Sequence, residues 1–164
     1  PPHSGRRLDP RPGTFSAMTR SGPQGEQRAT AERLAAAPVE RVRALILDHP
    51  GHARWFRGLE RIERDGASWR HVFIFTALRI EVEPPEDDRI VWRIADERGH
   101  FAATWTFSLH PEGPGRCRVA LAEARLDRTA LARLWQRLFL RPDHYIRKYL
   151  EALDAAAALP SGAE

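Results

Sequence analysis

The chain has 164 residues, 26 Lys and Arg against 22 Asp and Glu, and a formal net charge of +4. That length fits one domain, able to bury roughly 70% of its unfolded surface, and 42% hydrophobic with 29% charged residues is an ordinary globular composition. No apolar run approaches the ~20 residues that span a bilayer, so integral membrane association is not expected.

A single cysteine, Cys117, leaves no internal disulfide and fits a reducing compartment, which makes cytoplasm the expected location. The basic N-terminus is followed by no hydrophobic segment, so no secretory signal is expected there. All basic residues but Lys148 are Arg. They are scattered and matched by acids rather than gathered on one stripe, so no nucleic-acid partner is expected.

Residues 1–26 are rich in Pro, Gly, Ser and Arg with few large apolar side chains, and read as a disordered N-terminal extension. The one methionine is Met18, and the residues before it are expected to be an added extension rather than a functional tail. The folded domain is expected over residues 27–158, followed by a polar tail at 159–164.

A weak, Arg-bearing alternation at 27–35 predicts a first strand. Pro38 then suits the first turn of a helix, and Val39, Val42, Leu45 and Ile46 follow at helical spacing. Asp48, Pro50 and Gly51 stop that helix. Residues 52–58 form a second short helical piece carrying Trp55 and Phe56 and ended by Gly58. Period-two runs follow at 59–66, 68–75, 77–83, 89–95, 101–109 and 116–126, broken by Asp65-Gly66, by 84–88 and by 111–115. Their inward faces are expected to carry Trp69, His71, Phe73 and Phe75, then Leu78, Ile80 and Val82, then Ile90, Trp92 and Ile94. Phe101, Ala103, Trp105, Phe107 and Leu109 share the next face, and Cys117, Val119, Leu121 and Glu123 the last.

The closing segment, 127–158, is amphipathic. Leu131, Leu134, Trp135, Leu138 and Phe139 make one stripe, Pro142 is expected to kink it, and Tyr145, Ile146, Leu150 and Leu153 continue it. No repeat and no second domain is evident.

This order of elements resembles the START-like or Bet v 1-like (SRPBCC) helix-grip superfamily, in particular its bacterial polyketide cyclase/dehydrase and coenzyme-Q-binding-like members. The resemblance rests on "APVERVRALILD" (37–48), on "HARWFRGLERIERDG" with Trp55 and Gly58, on "EPPEDDRIVWRI" (83–94), on "WTFSLHPEGPGRCRV" (105–119) and on the closing helix. It covers about residues 27–156. It implies an α+β helix-grip fold, a curved seven-stranded antiparallel sheet wrapped around a long C-terminal helix, with two short helices after the first strand. Its motifs define the fold and leave the substrate open.

The aromatic residues on inward faces are the main functional signal. Trp55, Trp69, His71, Phe73, Trp92, Trp105, Phe107, Trp135 and Phe139 are the candidate ligand-contacting residues, each weighed against a plain core role. Ligand pockets are mostly apolar with a few placed polar groups. His71 and Glu123 are the catalytic candidates, His71 as a base or orienting group and Glu123 at a cavity mouth. Trp55 would gate the cavity or plug the end of the sheet.

Other constellations fail. The histidines (His3, His49, His52, His71, His100, His110 and His144) show no metal-ligand spacing along the chain; His49 and His52 share a turn, but no third ligand is apparent, and no metal is expected. There is no nucleophile elbow, no phosphate loop and no partner to activate Cys117, and no cofactor is expected. The expected function is the binding of a hydrophobic small molecule (polyketide-like, lipid or quinone) between sheet and C-terminal helix. One alternative is a polyketide cyclase/aromatase-like enzyme using general acid-base catalysis in the same cavity. Another is a protein- or ribosome-interaction module without a sizeable cavity.

Overall fold

A computed structural model of the chain describes residues 18–21, 26–130, 134 and 143–159. In chain order the elements are β1 (Met18–Ser21), β2 (Glu26–Ala35), α1 (Val39–Leu47), a 3-10 turn (His49–Gly51), α2 (His52–Trp55), β3 (Leu59–Asp65), β4 (Ser68–Phe73), β5 (Ala77–Val82), β6 (Arg89–Asp96), β7 (Phe101–Pro111), β8 (Cys117–Asp127) and α3 (His144–Ala158). All these strands lie in one antiparallel sheet of order β1-β2-β8-β7-β6-β5-β4-β3. The seven strands expected from the alternation are present, and a short edge strand, β1, pairs with β2 through Met18↔Thr30 to Ser21↔Gln27.

β1 falls within the segment read as a disordered extension; the rest of residues 1–25 lies outside the described residues, as does the tail at 160–164. The helical stripe through Trp135, Leu138 and Phe139 and the kink at Pro142 also lie outside them.

Local chemistry explains the punctuation. Gly66 adopts a φ of 59°, the left-handed region that a two-residue hairpin favours, and joins β3 to β4 at the pair Asp65↔Ser68. After α1, the Asp48 side chain accepts a hydrogen bond from the Gly51 amide at 3.3 Å and caps the 3-10 turn. β4 ends earlier than the alternation suggested. Phe73 N donates to Thr76 O at 2.8 Å, turning the chain through 74–76. Phe75, expected to face inward, is therefore 85% exposed.

The sheet's concave face and α3 enclose one hydrophobic core. Trp92, Phe107, Leu109, Leu121, Ile146, Tyr149, Leu150 and Leu153 are buried in it, with Val42 and Ile46 of α1. Each of the aliphatic side chains and Phe107 contributes roughly 1.5–3 kcal/mol on burial. Two cationic contacts hold α3 against the opposite elements. Arg33 Nε donates to Asp154 Oδ2 at 2.6 Å, and Arg41 Nε donates to the Ala157 carbonyl at 2.7 Å, satisfying a carbonyl that the helix end leaves without an internal partner. No helix among the described residues is long and apolar enough to cross a membrane.

Candidate functional site

The site follows from the inward rows of β7 and β8, which face each other pair by pair. Leu109↔Val119 and Phe107↔Leu121 are apolar; then come Trp105↔Glu123, Ala103↔Arg125 and Phe101↔Asp127. The row thus changes from hydrocarbon to charge along its length, and a cavity opens at the charged end. It has a volume of about 540 Å³, within the range of small-molecule pockets. Phe73, Leu78, Ile94, Phe101 and Trp105 form its apolar wall, Ala103 leaves room in the floor, and Tyr145 of α3 closes one side. Its polar lining comes from Glu123, Arg125, Arg57 and Thr76.

Glu123 is buried and accepts a hydrogen bond from Trp105 Nε1 at 3.0 Å. Burial raises its carboxyl above the usual range, opposed by the Trp105 hydrogen bond and by the Arg125 charge. Arg125 is itself held, donating to Asp127 Oδ1 at 2.8 Å and lying 3.9 Å over the Phe101 ring. Tyr145 retains a phenol whose ionisation is pushed up by burial and by Glu123. The residue is 39% exposed, so solvent tempers that effect. A carboxyl with raised proton affinity beside a neutral phenol can donate or accept hydrogen bonds to a carbonyl or hydroxyl.

The sequence candidates divide between this cavity and the core beneath it. Phe73, Trp105 and Glu123 line the large cavity. His71 does not: it faces inward but lies deeper, sharing a hydrogen bond of 3.0 Å with His49. Trp92 stacks on Trp105, its register partner, with ring centroids 6.0 Å apart. His71 and Trp92 instead line a second, small cavity of about 30 Å³, together with His52 and Tyr149. Phe107 is packed in the core, in contact with Trp92 and Tyr149. Trp69 stacks on His49, and the Arg64 guanidinium lies 4.5 Å from the centre of its ring. Trp55 is half-buried against His52 and Tyr149 rather than in the cavity wall. Trp135 and Phe139 lie outside the described residues.

Sequence reasoning missed several positions. Tyr149 is buried and touches His52, Trp55, Phe56, Trp92, Trp105 and Phe107. Its place one turn beyond Tyr145 was the available signal. Arg57 and Arg125, read as scattered charges, line the cavity. The third imidazole that the histidine spacing did not reveal comes from β4: ring nitrogens of His49, His52 and His71 lie within 4.8 Å of one another.

A curved antiparallel sheet gripping a C-terminal helix, with two short helices after the first long strand, is the helix-grip architecture of START-like and Bet v 1-like proteins. Solved structures agree. One is an aromatase/cyclase from Streptomyces sp. R1128 (TM-score 0.65, 15% identity, 80% of this chain and 93% of that one). Another is a START superfamily protein from Mycobacterium smegmatis (TM-score 0.63, 14% identity, 79% and 96%). A third, from Thermus thermophilus, has 26% identity with a TM-score of 0.56 over 80% and 99%. The chain belongs to the family described as polyketide cyclase/dehydrase and lipid transport, which it matches over residues 26–157. No curated protein matches it.

Proposed function

We propose that the protein binds a hydrophobic small molecule of polyketide, lipid or quinone type in the 540 Å³ cavity beside α3. The observation that carries this reading is the cavity's make-up: an aromatic and aliphatic wall with one buried carboxyl, Glu123, held by an indole N–H. Apolar walls supply affinity, and a few fixed polar groups supply orientation. The Arg125 and Arg57 side chains suit a ligand with an acidic or carbonyl-bearing end. Family membership supports the same reading.

A second reading, cyclase-like chemistry, is favoured by one specific feature. Glu123, with its raised proton affinity, and Tyr145 share the cavity. As a base, Glu123 would take a proton from a carbon beside a carbonyl. The Tyr145 hydroxyl would donate a hydrogen bond to the oxygen that gains charge. His71, placed below the large cavity, has no part in that scheme.

Native mass spectrometry of the full chain tests the binding reading. A bound hydrophobic adduct, or a melting-temperature rise with a fatty acid, a quinone or an aromatic polyketide, is the expected result. No adduct and no shift with any of the three would remove its support.

A further inference from the structure

We propose that His49, His52 and His71 form a binding site for a transition-metal ion of the zinc(II) class, held by three imidazoles beneath the ligand cavity. Nothing in the binding or cyclase reading requires such a site, and it stands or falls separately from both.

The placement is built by three elements. His49 opens the 3-10 turn, His52 opens α2 three residues later, and His71 comes from β4, where it pairs with Ile62 and Leu78. All three are buried, and one ring nitrogen from each lies within 4.8 Å of the others. His49 Nδ1 and His71 Nε2 are 3.0 Å apart. Two imidazole nitrogens on one zinc ion, each at about 2.0–2.1 Å, sit roughly 3.3 Å apart, so this pair already has nearly the required bite. His52 Nε2 must donate to the Leu45 carbonyl, at 2.9 Å, because a carbonyl can only accept. That fixes the tautomer and leaves Nδ1 with its lone pair, the outer arrangement that orients metal-binding histidines.

The surroundings need a polar occupant. His49 Nε2, Trp92 Nε1 and the Tyr149 hydroxyl are buried without a hydrogen-bond partner among the described residues. Such atoms are rare in native proteins; the indole N–H and the hydroxyl call for a water, while His49 Nε2 lies outside any shell built on His49 Nδ1. The small cavity of about 30 Å³, bounded by His52, His71, Trp92 and Tyr149, has room for one water. A metal-bound water there would occupy the fourth position of a three-histidine site and give the Tyr149 hydroxyl a partner. Three buried imidazoles are also a costly way to fill a core that hydrocarbon would fill.

The donor set selects the ion. Three nitrogens and no carboxylate disfavour magnesium and calcium, which prefer oxygen ligands. Burial disfavours the charged imidazolium at all three residues. The His49 Nδ1–His71 Nε2 hydrogen bond puts a proton on one of the two, and an ion would take its place as that proton moves to the ring's other nitrogen. Arg64 opposes a cation here, through its charge near His49, and Asp48 favours one, through its charge near His52.

The test uses the full, tag-free chain, stripped with chelator and titrated with zinc(II) by calorimetry and with cobalt(II) by visible absorption. One equivalent per chain, an intense tetrahedral cobalt band, and no competition from a thousandfold excess of magnesium are expected. His71→Gln and His49→Gln should each weaken zinc binding at least tenfold, while His110→Gln leaves it within twofold. X-ray absorption of the zinc-loaded wild-type chain needs no variant and should show imidazole scattering from three ligands. Absence of saturable binding at one equivalent, binding unchanged in folded His71→Gln, or a thiolate or all-oxygen shell would each overturn the site.

Discussion

Trp105 and Glu123 are direct cross-strand partners in β7 and β8, and the indole N–H donates to the carboxylate at 3.0 Å. This single pair gives a buried acid a fixed direction. Trp105→Phe removes the donor and leaves the acid without it. A cost of about 1.5–3 kcal/mol is expected, the value of a hydrogen bond to a charged group, read as a lower urea midpoint at pH 7.

Glu123→Gln should have the opposite effect at neutral pH. Because burial raises the folded-state proton affinity, Glu123 contributes most to stability where it is protonated. That contribution declines as pH rises from its unfolded value of about 4.5. The amide keeps an acceptor for Trp105 and carries no charge, so the variant should melt higher than wild type at pH 7, with the difference shrinking toward pH 4. If the carboxyl orients the ligand, the same variant should bind it at least tenfold more weakly.

Ala103→Phe fills the cavity floor. Ala103 faces the large cavity, so a bulky ring there enters empty space before it meets the core. A stability change within about 1 kcal/mol, smaller than typical overpacking, together with loss of any co-purified adduct, is expected. Retention of the adduct would place the ligand elsewhere.

The metal-free chain should be sensitive to mild acid. His49, His52 and His71 are neutral in the fold down to about pH 4 or below, whereas unfolded histidine binds a proton below about 6.5. Stability is complete above that value and falls as pH drops toward 4, by up to about 1.4 kcal/mol per pH unit for each histidine. Urea midpoints between pH 7 and 5 measure this slope, and His71→Gln should flatten it. An unchanged midpoint over that range would contradict neutral burial of the cluster.

Gly51→Ala should cost about 1 kcal/mol, the usual value of a helix cap. A Cβ at Gly51 meets the Asp48 carboxylate, which can swing aside only by giving up its hydrogen bond to the Gly51 amide. Because that turn sets the spacing of His49 and His52, the variant should weaken zinc binding more than it weakens the fold.

Alternation was a good guide wherever a strand is half-buried. The inward faces of β6, β7 and β8 follow it residue by residue, from Ile90, Trp92 and Ile94 to Cys117, Val119, Leu121 and Glu123. It misjudged the burial of Phe75, which stands exposed past the end of β4, at a turn that no Gly or Pro announces, and lines the cavity from there. It was silent on depth: Trp105 lines the cavity and Phe107, two residues on and facing the same way, does not. The histidine cluster was hidden for a related reason. His49 and His71 are 22 residues apart, and only the packing of the 3-10 turn and α2 beside the β3–β4 hairpin brings them together. Periodicity reports which face a side chain takes, not what lies opposite.

The pairing of β2 with β8 has a consequence for how the chain folds. Every other neighbouring pair in the sheet is consecutive in sequence, but these ten register pairs join residues 26–35 to residues 117–126. During synthesis the Ala29 and Ala31 strand must wait, one edge uncovered, until nearly the whole domain has emerged. Uncovered edges recruit other chains. Arg28, Thr30 and Glu32, which alternate with the alanines and stay on the outer face of the finished sheet, keep that waiting strand charged and soluble. The domain is therefore expected to fold slowly for its size, late and nearly all at once, as β8 arrives.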